Sequence, residues 1–234
     1  MNTFWMMFKN NRNIDFDVQV IKRPNIPSPT RRVSYIQIPG RDGSLTQTDD
    51  VYDDIEFGVE MNYISPLSGR FMDQTRKVKN WLSGSGPLKF SDDNEVFYKV
   101  KNVTISDSIE RIQKRAGLFT ALFTCDPFTY FEGGLVELSV DECKLNPYYL
   151  AKPIYHIKGT GTCTLTVNGT SSSIPVASNL LIDTDLMVMY QEDGTLKSNT
   201  AHMPYEKYYL QNGLNSISIS NGFTLKIQPN WRSL

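Results

Sequence analysis

The stretch DIEFGVEMNY, residues 54–63, alternates apolar and polar side chains without a break. Ile55, Phe57, Val59, Met61 and Tyr63 fall on one parity, and Glu56, Gly58, Glu60 and Asn62 on the other. Successive side chains of a strand point to opposite sides, so this pattern demands a strand with one covered face. The same period recurs at 16–22 (FDVQVIK) and 33–38 (VSYIQI). Shorter or mixed strand signals stand at 4–8, 87–90, 96–105 and 116–125. Prolines 24, 27 and 29 in RPNIPSPTRR keep that link out of any central strand, because proline has no N–H for a ladder.

One segment has helical spacing instead. Over 68–82 (SGRFMDQTRKVKNWL), Phe71, Met72, Thr75, Val78, Trp81 and Leu82 form one stripe, with Ser68 as N-cap and Gly84 as stop. Arg70, Arg76, Lys77 and Lys79 lie on the other side, read as a solvated face.

The second half is read as all-β, with strands at 135–140, 152–158, 162–167, 171–176, 179–183, 186–190, 205–210, 214–219 and 223–228. Asn168-Gly169, Asp193-Gly194, Asn212-Gly213 and Asn221-Gly222 separate them, and such pairs favour the positive φ of tight hairpins. Many short strands at this spacing predict a two-sheet sandwich. Ile217, Ile219, Phe223, Leu225 and Ile227 are the expected inner face of one sheet; Leu165, Val167, Leu181, Met187 and Met189 are that of the other. The stretch CDPFTYFEGG, 125–134, is the expected boundary: Asp126-Pro127 breaks a strand and Gly133-Gly134 gives a loose joint. The fold class is therefore mainly β: a β-rich N-terminal domain over 1–132 with one amphipathic helix, then a C-terminal β-sandwich over 133–234.

Composition narrows the function. The net charge of −1 argues against a bulk polyanion binder. No apolar run approaches the roughly 18–20 residues that span a bilayer, so membrane insertion is not expected. The opening MNTFWMMFKNNRN has no basic lead and no small-residue cleavage site, so synthesis and retention in the cytoplasm, or export within an assembly, is expected. Cys125, Cys143 and Cys163 form no CxxC and read as small buried hydrophobes.

No catalytic, metal or cofactor motif emerges. His156 and His202 have no ligand partner at metal spacing, and GxSxG, HExxH and Walker A patterns are missing. The pair Gly40 and Gly43 around Arg41 and Asp42, in IPGRDGSLTQT, fails as a phosphate loop: polar strand-like SLTQT follows where a helix must begin. It reads as a tight turn between two strands with Arg41 and Asp42 at the tip. The acidic DDVYDD, 49–54, lacks the calcium-loop spacing and reads as a solvated loop. Tyr148, Tyr149, Tyr155, Tyr205, Tyr208, Tyr209 and Trp231 suit either a sugar-stacking platform or packing in a core or interface, and core or interface is preferred.

The order of these features carries more than any one of them. Gly40-Arg41-Asp42-Gly43, then DDIEFGVEM, then the helix with Trp81, then CDPFTY and a sandwich of about a hundred residues resembles the distal tail proteins (Dit) of long non-contractile-tailed phages. The resemblance implies a structural, non-catalytic virion protein at the tail tip, made in the host bacterial cytoplasm. It implies a homo-hexameric ring built by the N-terminal domains, with galectin-like C-terminal sandwiches projecting outward. Partners would be the tail tube protein, the tail-associated hub protein, and receptor-binding or baseplate proteins, with DNA only in transit through the channel. Gly40, Arg41, Asp42 and Gly43 would then form a structural turn or ring interface, and Asp126 and Pro127 the domain junction. The rivals are a carbohydrate-binding module for host attachment, a small hydrolase with two carboxylates roughly 5–10 Å apart, and another tail part such as a tube protein.

Overall fold

The computed structural model describes residues 4–65, 71–112, 115–197 and 203–234. By contacts the chain divides into two compact units, one ending at Thr129 and joined by Leu234, the other spanning Tyr130–Ser233.

The first unit comprises β1 (Met6–Phe8), β2 (Asn11–Arg12), β3 (Val18–Val20), β4 (Arg31–Gln37), β5 (Ser44–Tyr52), β6 (Ile55–Ile64), α1 (Phe71–Trp81), β7 (Gly86–Phe90), β8 (Asp93–Arg111) and β9 (Ala116–Phe131). Its main sheet runs in the order β2-β1-β7-β8-β9-β6-β3. The alternation in DIEFGVEMNY is realised as read: Ile55, Phe57, Val59, Met61 and Tyr63 are buried while Glu56 and Glu60 are exposed. β6 pairs antiparallel with β9 from Ile55 opposite Cys125 to Ile64 opposite Ala116. Phe119, Ala121, Phe123 and Cys125 of β9 share the buried face.

Helix α1 packs onto this core through Gln74, Thr75, Val78 and Trp81. The expected stripe is corrected at one place. Met72 is exposed and Gln74 is buried, because the face through Val78 and Trp81 passes through residue 74 rather than 72. The Gln74 amide reaches the Phe16 carbonyl. Trp81 stacks on Phe16 at 4.8 Å and donates its indole N–H to the Phe8 carbonyl. The Tyr63 hydroxyl lies 2.7 Å from Thr75 Oγ1. Its ring needs Gly117: a Cβ there would stand 2.5 Å from Tyr63 Cζ. The predicted cap Ser68 and Arg70 lie outside the described residues.

The predicted break at Asp126-Pro127 is also corrected, since β9 continues to Phe131. The strand changes phase instead. Burial falls on odd numbers through Cys125, both Asp126 and Pro127 are half-buried, and Phe128 and Tyr130 then face inward. Proline is tolerated because the β6 ladder has already ended at Cys125, so β6 asks no N–H of residue 127.

The second unit comprises α2 (Val140–Cys143), β10 (Leu145–Asn146), β11 (Ile154–Lys158), β12 (Gly161–Val167), β13 (Thr170–Val176), β14 (Asn179–Asp183), β15 (Val188–Tyr190), β16 (Leu196–Lys197), β17 (Gly213–Leu214), β18 (Ile217–Ile219), β19 (Thr224–Gln228) and β20 (Arg232–Ser233). A five-stranded sheet, β16-β15-β14-β11-β19, and a three-stranded sheet, β13-β12-β18, share one core. Tyr155, Ile157, Leu180, Ile182 and Ile227 meet Cys163, Leu165, Val167, Ile174 and Ile217 there. Asn168 and Gly169 both take positive φ (49° and 82°) in the β12–β13 hairpin. The expected division of the inner faces is corrected: Ile217 and Ile219 pair with Val167 and Leu165 in the three-stranded sheet, while Leu225 and Ile227 share the five-stranded sheet with Met189. Two of the expected inward residues also fail. Leu181 points away from Ile182 and sits opposite His156, and Met187 is exposed with φ 56°.

Two predicted strands are helical turns. Residues 135–140 lead into α2, capped by the Ser139 side chain and Glu142, and 205–210 begins with a 3-10 turn at Tyr205–Tyr208. Residues three apart eclipse in a 3-10 turn, which turns both Tyr205 and Tyr208 into the core.

Candidate functional site: an exposed arm and its root

Strands β4 and β5 belong to none of the three larger sheets. They form a two-stranded sheet of their own, joined by the GRDG turn. Gly40 and Gly43 have φ 79° and 76°, a region costly for residues with a Cβ, and the Arg41 N–H donates to the Ile38 carbonyl at 3.2 Å. The tight-turn expectation for this motif matches that geometry. Arg41 and Asp42 are exposed at the tip, and among the described residues neither side chain makes a hydrogen bond or ion pair. Both remain available to a neighbouring surface.

The arm exposes apolar side chains on both of its otherwise polar faces. Ile36 lies opposite Leu45 on one face and Tyr35 opposite Thr46 on the other. Tyr35 is 69% exposed, Ile36 45%, Leu45 43% and Ile38 40%. An isolated two-stranded sheet is marginal in water, and this one also leaves both outer edges without a strand neighbour among the described ladders. The physics calls for something to cover it.

At the arm's root the acidic run is put to use. Asp49 lies within β5 rather than in a loop. The Arg32 guanidinium donates to Asp53 Oδ1 at 2.6 Å, tying the two sides of the arm together. The Asp53 N–H donates to the Thr30 carbonyl at 2.9 Å. Tyr52 meets Phe128 of β9 edge-on, ring centres 5.8 Å apart. Lys101 Nζ, from β8, lies 2.6 Å from Asp54 Oδ1 and 3.0 Å from Asp126 Oδ1. Partial burial works against the Lys101 charge, yet its bonds to Asp54 and Asp126 prevail and hold its pKa above the ordinary value. Asp126, read from sequence as part of a strand break, is thus an ion-pair partner, and the structure brings it to the base of the GRDG arm. Nothing in the local sequence signals this, since Lys101 and Asp54 are 47 residues apart.

Catalytic readings find little geometry. Burial pushes the Cys125 thiol up to about 12, helped by the charges of Asp126 and Asp54, and burial likewise lifts Cys143 to about 12. Neither is a thiolate at neutral pH, so neither is an available nucleophile. The His156 Nδ1 stands 2.9 Å from Glu137 Oε1, while its buried Nε2 has no partner; His202 lies outside the described residues. Asp54 and Asp126 converge on an ammonium rather than facing each other across a cleft. Among the described residues no three His, Cys, Asp or Glu side chains gather to hold a metal, and no helix is long and apolar enough to cross a membrane. Of the aromatics, Tyr155, Tyr205, Tyr208 and Trp231 are buried in the sandwich core. Tyr148 stacks on Phe131 at 4.0 Å, and Tyr149 and Tyr209 lie beside Arg232 and Lys152. The core reading holds for Tyr155, Tyr205, Tyr208 and Trp231, with Tyr148 packed against that core, and not for the half-buried Tyr149 and Tyr209.

Comparison with known proteins gives the class of this strand-rich chain with its exposed arm. Residues 14–125 match the family described as phage tail protein RIFT-related domain. Over its whole length the chain has the fold of a siphophage distal tail protein. It superposes on the Dit protein of phage SPP1, described as a paradigm of the hub adsorption apparatus in phages infecting Gram-positive hosts, with a TM-score of 0.63 and 14% identity, covering 99% of each chain. It also matches a chain of the phage P2 baseplate in its calcium-activated conformation, with a TM-score of 0.52 and 11% identity, covering 100% of this chain and 99% of that one. No protein among those curated for function matches the sequence.

Proposed function

We propose that this chain is a distal tail protein that closes into a hexameric ring, joining the tail tube to the tail-tip hub and leaving a channel through which DNA passes during ejection. The observation that carries the proposal is the β4–β5 arm: it exposes large apolar side chains on both faces and, among the described ladders, has no strand neighbour on either outer edge. In a ring each copy presents its arm to the next, and closure leaves none uncovered. Residues 1–132 are assigned to the ring and 133–234, as a galectin-like sandwich, to its periphery, where receptor-binding or baseplate proteins attach. Gly40 and Gly43 shape the arm's turn, Arg41 and Asp42 meet the adjoining surface, and Asp126 and Pro127 mark the passage between domains. The role is structural, at the virion tail tip, after synthesis in the host bacterial cytoplasm, and needs no cofactor. The family match of residues 14–125 and the whole-chain fold support a structural tail role.

The test is negative-stain electron microscopy with mass measurement of the purified protein, alone and mixed with its tube and hub neighbours. A sixfold annulus with a central pore is expected. A compact monomer under all these conditions overturns the proposal.

A further inference from the structure

Only Asp53 and Asp54 separate the end of β5 at Tyr52 from the start of β6 at Ile55. A two-residue connection to a two-stranded arm is a hinge unless something else fixes its angle. Lys101 sits on β8, Asp126 on β9, and Asp54 just ahead of β6, and these three strands are neighbours in the order β8-β9-β6. One ammonium, 2.6 Å from Asp54 and 3.0 Å from Asp126, therefore crosses three strands and ends on the hinge itself. The Tyr52–Phe128 ring contact also joins the arm's base to β9.

We propose that Lys101 is a positioning residue for assembly: by bridging Asp54 and Asp126 it sets the angle at which the β4–β5 arm projects, so that the arm meets a second copy of this chain as a rigid element. The purpose of this device rests on the ring reading above; its geometry does not. Removing the ammonium does more than delete a bond. Asp54 and Asp126 approach one point from two strands, so without Lys101 two carboxylates repel across the gap and push the hinge off β9. A rigid arm loses less freedom when it docks than a swinging one, which is why pre-setting the angle favours association.

The test compares the wild type with Lys101→Met, which keeps the aliphatic stem, and Lys101→Arg, which keeps the charge. Hydrogen exchange of residues 31–52 is followed in dilute protein, and particle mass is followed in concentrated protein by light scattering. In Lys101→Met, arm amides are expected to exchange about five-fold faster, while the β6–β9 ladder and the melting temperature stay as they were. Ring population falls with it, and Lys101→Arg restores both. Unchanged arm exchange in Lys101→Met overturns the proposal, whether or not rings form, because Lys101 would then be at most a contact in the interface. A wild type that never forms rings, with an arm still loosened by Lys101→Met, upholds the positioning role and defeats the ring reading instead. Should Lys101→Met fail to fold, Asp54→Asn removes the charge on the hinge at nearly constant shape and leaves no carboxylate repulsion; faster arm exchange is again expected because the ion pair is lost, and unchanged exchange overturns the proposal.

Discussion

At the tip of the arm, Gly43 has open space around it: a Cβ built there meets nothing within 4 Å, so only its φ of 76° resists substitution. A valine must then take a left-handed conformation at a cost of about 1–2 kcal/mol, or let the turn change shape. Gly43→Val is expected to deform the tip and abolish ring formation by light scattering, while the second unit, which has its own core, melts as before. His156 offers a titration in the other unit. Burial lowers its pKa below the usual value, against the raising influence of Glu137 and Glu192 and alongside the lowering influence of Lys158. Lys226 is its cross-strand neighbour on β19 and Leu181 on β14. The unfolded chain therefore takes up this proton first, near pH 6.5. The contribution is present above that value and is lost as pH falls toward the lower folded pKa. Denaturant titrations between pH 7 and 5 are expected to show falling stability, with a shallower slope in His156→Asn. How far such residues speak in the sequence depends on range. The GRDG turn is legible because glycine spacing is local. The bridge from Lys101 to Asp54 and Asp126 is silent, because its members become neighbours only through sheet order.

Elements were legible where a single periodicity governs. β6 alternates on one parity only, and the helix stripe failed only at Met72, which borders the buried face. Where both parities are apolar, as in NLLID of β14, the inward set cannot be chosen from the pattern, and Ile182 rather than Leu181 turned in. Two misread stretches did carry a local signal. Pro204 stands ahead of two tyrosines spaced by three, and Ser139-Val140-Asp141-Glu142 is a capping box: the Glu142 N–H donates to the Ser139 hydroxyl while the Ser139 N–H donates to Glu142 Oε2 at 2.8 Å. The same contacts hold the Glu142 carboxyl below its usual range, its hydrogen bonds from Ser139 being the main cause. Ser139→Ala is expected to destabilise the second unit by about 1 kcal/mol, measured by denaturant unfolding. Asp126-Pro127 is the converse case. Its residues promise a break, yet with the β6 ladder already finished the strand can absorb the proline by changing phase.

For the whole molecule, two separate cores and one uncovered arm have a thermodynamic consequence. The Phe57, Phe123 and Trp81 core belongs to the first unit and the Tyr155, Tyr208 and Ile227 core to the second, so each has its own reason to melt cooperatively. Association of folded chains stabilises only what it binds, and by mass action the gain grows with concentration. If the first unit makes the ring, its transition alone should climb as protein is added. Raising concentration to a hundred times the dissociation constant corresponds to about 2.7 kcal/mol, several degrees for a domain of this size. Calorimetry across that range is expected to show one transition moving and one fixed. With Gly43→Val both should stay still, since an arm that cannot dock passes no stabilisation to the core beneath it. Two moving transitions would instead assign interface to both units, and would shift the ring contact beyond the arm.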